Sequence, residues 1–144
     1  ETLKNFDQVD KNKTGAIGFC FGGKCALDLA RSGEDIKGVV SFHGLYDAPT
    51  ASTGKQFKGT LKIDSSILIL HGYDDPMATP KSMIDLADEL NSKKAKWQIH
   101  AYGNVGHAFT NPEANQRENG LFYDQYADEH SWNEMKNFFS KLFL

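Results

Sequence analysis

The chain has 144 residues and a formal charge of −3, with 40% hydrophobic, 12% aromatic and 24% charged residues. That is enough apolar content for one packed domain, and it excludes a disordered tail. No basic block exceeds Lys93-Lys94, so the electrostatic footprint of nucleic-acid binding is missing. The longest purely apolar runs, such as Ile67-Leu68-Ile69-Leu70, are strand-length and too short for a membrane helix. Two cysteines, Cys20 and Cys25, do not make a secreted disulfide scaffold, which favours a cytoplasmic setting. The chain begins Glu1-Thr2-Leu3 without an initiator Met, so a processed or longer protein is expected.

Strand-like and helix-like segments alternate along the chain. The first strand is expected at Thr14–Phe19, followed by a helix from about Phe21 to Arg31 that Ser32-Gly33 closes. A second strand, Gly38–Phe42, ends in His43-Gly44, and Tyr46 to Lys62 read as a long connection. The third strand, Ser66–Leu70, ends in His71-Gly72. Thr79-Pro80 opens a helix with a capping residue before a first-turn proline, and Asn91 is its expected stop. Trp97–Tyr102 is the fourth strand, Gly103 to Gly120 a flexible loop, and Tyr126 to Leu142 the last helix. In that helix Trp132, Met135, Phe139 and Leu142 form the apolar stripe. Strands apolar throughout, as at Val39–Phe42 and Ile67–Leu70, suit a mostly parallel sheet covered by helices on both faces. Such α/β sheets bind ligands beyond the carboxyl ends of their strands.

Gly18-Phe19-Cys20-Phe21-Gly22-Gly23 joins a strand to a helix with the spacing of a nucleophile elbow, Cys standing for the more usual Ser. The turn is sharp, so Gly18 and Gly22 are expected to be small to prevent collision. The Phe21 N–H, at the helix start, would face a developing oxyanion. The positive end of the same helix favours a thiolate at Cys20. Cys25 lacks this context and is expected in the core. A phosphate-binding loop is the rival reading, since Gly18-x-x-x-x-Gly23-Lys24 misses that motif only by Cys25 at the hydroxyl position. A thiol is a poor ligand for the Mg²⁺ such a loop needs.

A cysteine nucleophile requires a base, and the base an orienting acid. His107, in the loop after the fourth strand, is the best placed of five histidines. His43 and His71 read as rim or core residues bonded to nearby backbone. His100 and His130 read as structural or solvated. The acid falls in Gly72-Tyr73-Asp74-Asp75-Pro76. Asp75 is favoured because Pro76 extends its backbone and removes a competing donor, but an Asx turn suits either Asp. The order nucleophile, acid, base is that of the α/β-hydrolase fold.

These residues resemble the dienelactone hydrolase family of α/β-hydrolases. Ala16-Ile17-Gly18-Phe19-Cys20-Phe21-Gly22-Gly23 is similar to its Cys-bearing elbow. Gly72 to Pro76 resembles its acid loop, and the match assigns the acid to Asp75. Gly106-His107-Ala108-Phe109, with Asn111-Pro112, resembles its histidine loop. The resemblance implies hydrolysis of a small ester or lactone through a thioester on Cys20, with no metal or organic cofactor. It makes His107 the proton shuttle, Asp75 its orienter and Phe21 an oxyanion donor. Tyr73 and Phe109, with Tyr46, are candidate substrate contacts. Dienelactone-specific members hold a substrate carboxylate with arginines, whereas here Arg117 is the first basic residue after His107, so a broader esterase is expected.

In this fold other strands and a second oxyanion donor precede the elbow strand. The chain is therefore expected to be the carboxyl-terminal part of one α/β-hydrolase domain, lacking the N-terminal strands. Residues Glu1 to Asp10 would be the tail of a helix, and the first strand an open edge through which chains could associate. The alternative function is a non-catalytic binding module on the same fold.

Overall fold

The computed structural model describes residues 2–47 and 62–144. Most of the expected Tyr46–Lys62 connection lies outside the described residues. Four parallel strands, β1 (Gly15–Phe19), β2 (Gly38–Phe42), β3 (Ser66–Gly72) and β4 (Lys96–Tyr102), form one sheet in the order β1-β2-β3-β4. Three helices accompany them: α1 (Phe21–Ser32), α2 (Pro80–Ser92) and α3 (Gln125–Leu142).

The alternating side chains of β2 and β3 divide the core into two layers. Val39, Ile67 and Ile69 pack with Ala26, Leu27 and Ala30 of α1 and Leu86 and Leu90 of α2. Val40, Phe42, Leu68 and Leu70 pack with Ala127 and Met135 of α3. Both faces of the central strands are thus covered, which is why their sequences are apolar without alternation. Each fully buried aliphatic side chain here contributes about 1.5–3 kcal/mol.

The helix ends follow from local chemistry. Gly33 closes α1 with φ 82°, a conformation glycine adopts without steric cost. Thr79 caps α2 ahead of Pro80, its side chain accepting from the Ser82 N–H. Asp124 caps α3 by accepting from the Ala127 N–H at 2.9 Å. Arg31, 2% exposed, ties α1 to α2 by donating to Glu89 at 2.6 and 3.0 Å, and it also donates to the Tyr46 carbonyl.

Several expectations are corrected. His71 and Gly72 continue β3 instead of turning, because they pair with Ala101 and Tyr102 of β4. The amino-terminal residues hold only a 3-10 turn at Leu3–Asn5, with Leu3 and Phe6 exposed, so they do not form the tail of a packed helix. Cys25 is exposed, since the sheet-facing side of α1 is taken by Ala26, Leu27 and Ala30. In α3 the buried positions are Ala127, Ser131 and Met135, while Trp132 stands half exposed beside Phe42. The Gly103–Gly120 loop carries a strand, β5 (Asn115–Gln116), which pairs antiparallel with β6 (Leu121–Phe122). No helix among the described residues is long and apolar enough to cross a membrane.

Candidate active site

The carboxyl ends of the four strands deliver Cys20, His43, Asp75 and His107 to one rim of the sheet. Cys20 follows β1 directly with φ 53° and ψ −119°, a conformation that costs a non-glycine residue energy and marks a constrained turn. Its N–H is held by the Phe42 carbonyl at 3.0 Å. A Cβ on Gly18 would collide with the backbone of Gly22, so strand and helix close on each other only with glycine there. The expected need for a small residue at Gly22 is not met in the same way: a Cβ there would enter open space. The backbone of Gly22 supplies the crowding, not its missing side chain. Gly23 is the tighter partner, packed against Ser41 and Gly44.

Asp75 and Asp74 separate sharply. Asp74 is exposed, whereas Asp75 is 1% exposed and places Oδ2 2.8 Å from His107 Nδ1. Its other oxygen accepts from the N–H groups of Met77 at 2.7 Å and Ala78 at 3.2 Å. The same carboxylate therefore makes the Asx-type turn and engages the imidazole. Close approach of the two loops depends on Gly72 and Gly106: a Cβ on Gly72 would strike the Gly106 carbonyl.

His107 is 2% exposed. Its backbone is pinned, the N–H donating to the Gly120 carbonyl at 2.7 Å and the carbonyl accepting from Phe122 at 3.2 Å. The expected flexible loop is thus anchored at His107. On the ring's far side Nε2 lies 3.0 Å from Cys20 Sγ. Burial pulls the His107 pKa down, but the bonds to Asp75 and Cys20 outweigh it and hold the imidazole above its ordinary value.

The other candidates fall into place around this line. Phe21 is exposed and begins α1, so its N–H has no carbonyl one turn earlier in the helix. Tyr73 is exposed beside the acid loop. Phe109 is 0% exposed and packs edge-on to His43, which makes it core, not a wall a substrate can reach. Tyr46 is also buried, its hydroxyl 2.8 Å from His71 Nδ1. His43 and His71 are buried, but their ring partners are the side chains of Thr110 and Tyr46, not backbone. His130 bonds the Tyr102 hydroxyl, and His100 faces Glu134 at 4.0 Å. The Lys24 ammonium, which a phosphate loop would aim at its ligand, is held by Asp28 and Asp47. Among the described residues, no group of three or more His, Cys, Asp or Glu is arranged to hold a metal ion. His43, which like Cys20 and His107 follows a strand, was expected to be a rim or core residue, and nothing in the sequence singled out its partner Thr110.

A sequence model of the dienelactone hydrolase family matches residues 1–143. The chain belongs to the dienelactone hydrolase family. A Caenorhabditis elegans protein of uncharacterised function is 34% identical over 98% of this chain and 87% of its own length. A Bradyrhizobium family relative bearing the name "Probable 2-oxo-3-(5-oxofuran-2-ylidene)propanoate lactonase" is 26% identical over 74% of this chain and 44% of its own. Among solved structures, a dienelactone hydrolase-like promiscuous phosphotriesterase from metagenomic libraries is 40% identical, with a TM-score of 0.83. That match covers 97% of this chain and 56% of the phosphotriesterase. The chain thus spans about half the length of the named enzymes it resembles and most of the nematode relative. The α/β-hydrolase fold is shared with these structures, and the parallel sheet corresponds to part of their domain.

Proposed function

We propose that this dienelactone hydrolase family member hydrolyses a small ester or lactone, with Cys20 as nucleophile, His107 as base and Asp75 as orienter. The observation that carries the reading is the unbroken line from Cys20 Sγ to His107 Nε2 at 3.0 Å and from His107 Nδ1 to Asp75 at 2.8 Å. Names borne by relatives, a lactonase and a phosphotriesterase, support hydrolysis at an electrophilic centre bearing oxygen leaving groups.

In the proposed cycle the Cys20 thiol gives its proton to His107 Nε2 as sulfur attacks the substrate carbonyl carbon. The carbonyl oxygen becomes an oxyanion, which accepts a hydrogen bond from the Phe21 N–H at the start of α1. Collapse breaks the carbon–oxygen bond, and the leaving alkoxide takes the proton from His107. For a lactone that alcohol stays tethered to the acyl group. A thioester remains on Cys20. Water then attacks it, giving a proton to His107, and the departing sulfur recovers the proton as the carboxylic acid is released. Asp75 stabilises the imidazolium formed in both halves.

Arg117 stacks its guanidinium 3.8 Å from the Phe122 ring centre, which favours a broad ester range over a substrate requiring a carboxylate clamp. Tyr73 is the proposed substrate contact at the acid side. The test is turnover of p-nitrophenyl acetate by the wild type and Cys20→Ala, together with iodoacetamide labelling. The reading expects Cys20-dependent turnover and faster alkylation of Cys20 than of the exposed Cys25. Equal alkylation without Cys20-dependent turnover would support a non-catalytic module instead.

A further inference from the structure

We propose that His43 is a positioning residue for His107, holding the base's ring and loop through its edge contact and its bond to Thr110. The kinetic part of this inference rests on the triad reading above. The geometric part does not.

His43 follows β2 with its N–H on the Leu70 carbonyl at 2.8 Å, so its backbone is tied to β3. It is 3% exposed and adopts φ 37°, a strained value for histidine. Its ring meets the His107 ring edge-on, with centroids 5.1 Å apart at 68°. It meets Phe109 in the same manner at 5.1 Å and 78°. Its Nε2 lies 2.9 Å from Thr110 Oγ1. One side chain therefore touches three of the four residues from His107 to Thr110. The fourth, Ala108, has φ 60°, and such a backbone persists only where its surroundings over-determine it.

The ring's chemistry suits this task. His43 Nδ1 is buried and has no hydrogen-bond partner. A bare lone pair there is less costly than an unmatched N–H, so the proton sits on Nε2 and is donated to Thr110. Burial, with the neighbouring His107, pushes the His43 pKa down to about 4, against the attraction of Asp75. The ring beside His107 and in the field of Asp75 is therefore neutral. It does not compete with the positive charge His107 acquires in the reaction. Asp75 and Cys20 fix the two nitrogens of His107, and the His43 edge restricts the remaining tilt of its plane.

The test compares His43→Phe, which keeps a ring but loses the donor, Thr110→Val, which removes the partner, and His43→Gln, which restores an N–H near the Nε2 position. Each is checked for folding by circular dichroism. The readouts are kcat and KM for a p-nitrophenyl ester, the pH profile of Cys20 alkylation, and the ¹⁵N signals of the His107 ring. Expected are a roughly tenfold loss of kcat in the Phe and Val variants with KM unchanged, altered His107 signals, and rescue by Gln. Folded Phe and Val variants with wild-type kcat, alkylation profile and His107 signals would overturn the proposal. If the wild type lacks Cys20-dependent turnover but His107 signals still respond to His43→Phe, the triad reading fails and the positioning role stands.

Discussion

His107 Nε2 lies 3.0 Å from the Cys20 sulfur although 87 positions separate the two in the chain. The contact exists because β1 and β4, the outer strands of the described sheet, both run toward the same rim. Asp75, delivered by β3 between them, completes the line from the opposite side of the imidazole.

Asp75→Asn keeps the shape of the acid and removes its charge. With the carboxylate gone, the His107 imidazolium loses its counter-charge, and its pKa is expected to fall toward or below 6.5. The rate constant for ester hydrolysis should drop by about 10³-fold, from loss of tautomer control and charge stabilisation. Histidine NMR titration and steady-state kinetics on the same sample check both expectations.

Gly18→Ala and Gly22→Ala should have opposite effects. At Gly18 the new methyl meets the Gly22 carbonyl, and backbone must move. A loss of about 3 kcal/mol or more is expected. At Gly22 the methyl finds open space in the first turn of α1, and reduced chain entropy should raise stability by about 0.5–1 kcal/mol. Urea denaturation of the two variants beside the wild type measures both.

Much of this arrangement was legible in the sequence because each feature has a local cause. Gly18 and Cys20 mark the elbow, Thr79-Pro80 opens α2, and unbroken apolar runs mark β2 and β3. Asp75 was favoured by Pro76 and by the family resemblance although either Asp could make the turn, and its burial against His107 sets it apart from the exposed Asp74. His43 was expected to bond nearby backbone and Phe109 to contact substrate, and neither reading held because their roles depend on contacts between distant segments. Phe109, two residues after His107, suggests a substrate wall, yet it fills the space between β4 and His43. The hairpin that pins His107 was illegible for a similar reason. Its strands are two residues long, too short for any periodicity to register.

Stability should depend on pH through buried histidines of opposite sign, since burial lowers both His43 and His71 whereas His107 is raised. His43 is held at about 4 in the folded protein against 6.5 when unfolded. Its contribution, about 3 kcal/mol, is complete above pH 6.5 and is lost as the pH falls toward 4. His107 is raised instead, so its contribution is complete below pH 6.5 and disappears as the pH rises through its folded value. Replacing His43 with Phe should therefore make the acid side of a denaturation-against-pH curve less steep, with His71 carrying what remains. An identical acid limb in the variant would show that His43 is not the group responsible.

Cys20 is expected to form a covalent acyl intermediate. Mixing the full chain with p-nitrophenyl acetate, quenching in acid and mapping the adduct by mass spectrometry tests it most directly. Acetyl is expected on Cys20, absent from Cys20→Ala and accumulating in His107→Ala only at a greatly reduced rate. Acetylation spread equally over Cys25 and surface lysines, with none favouring Cys20, would contradict it.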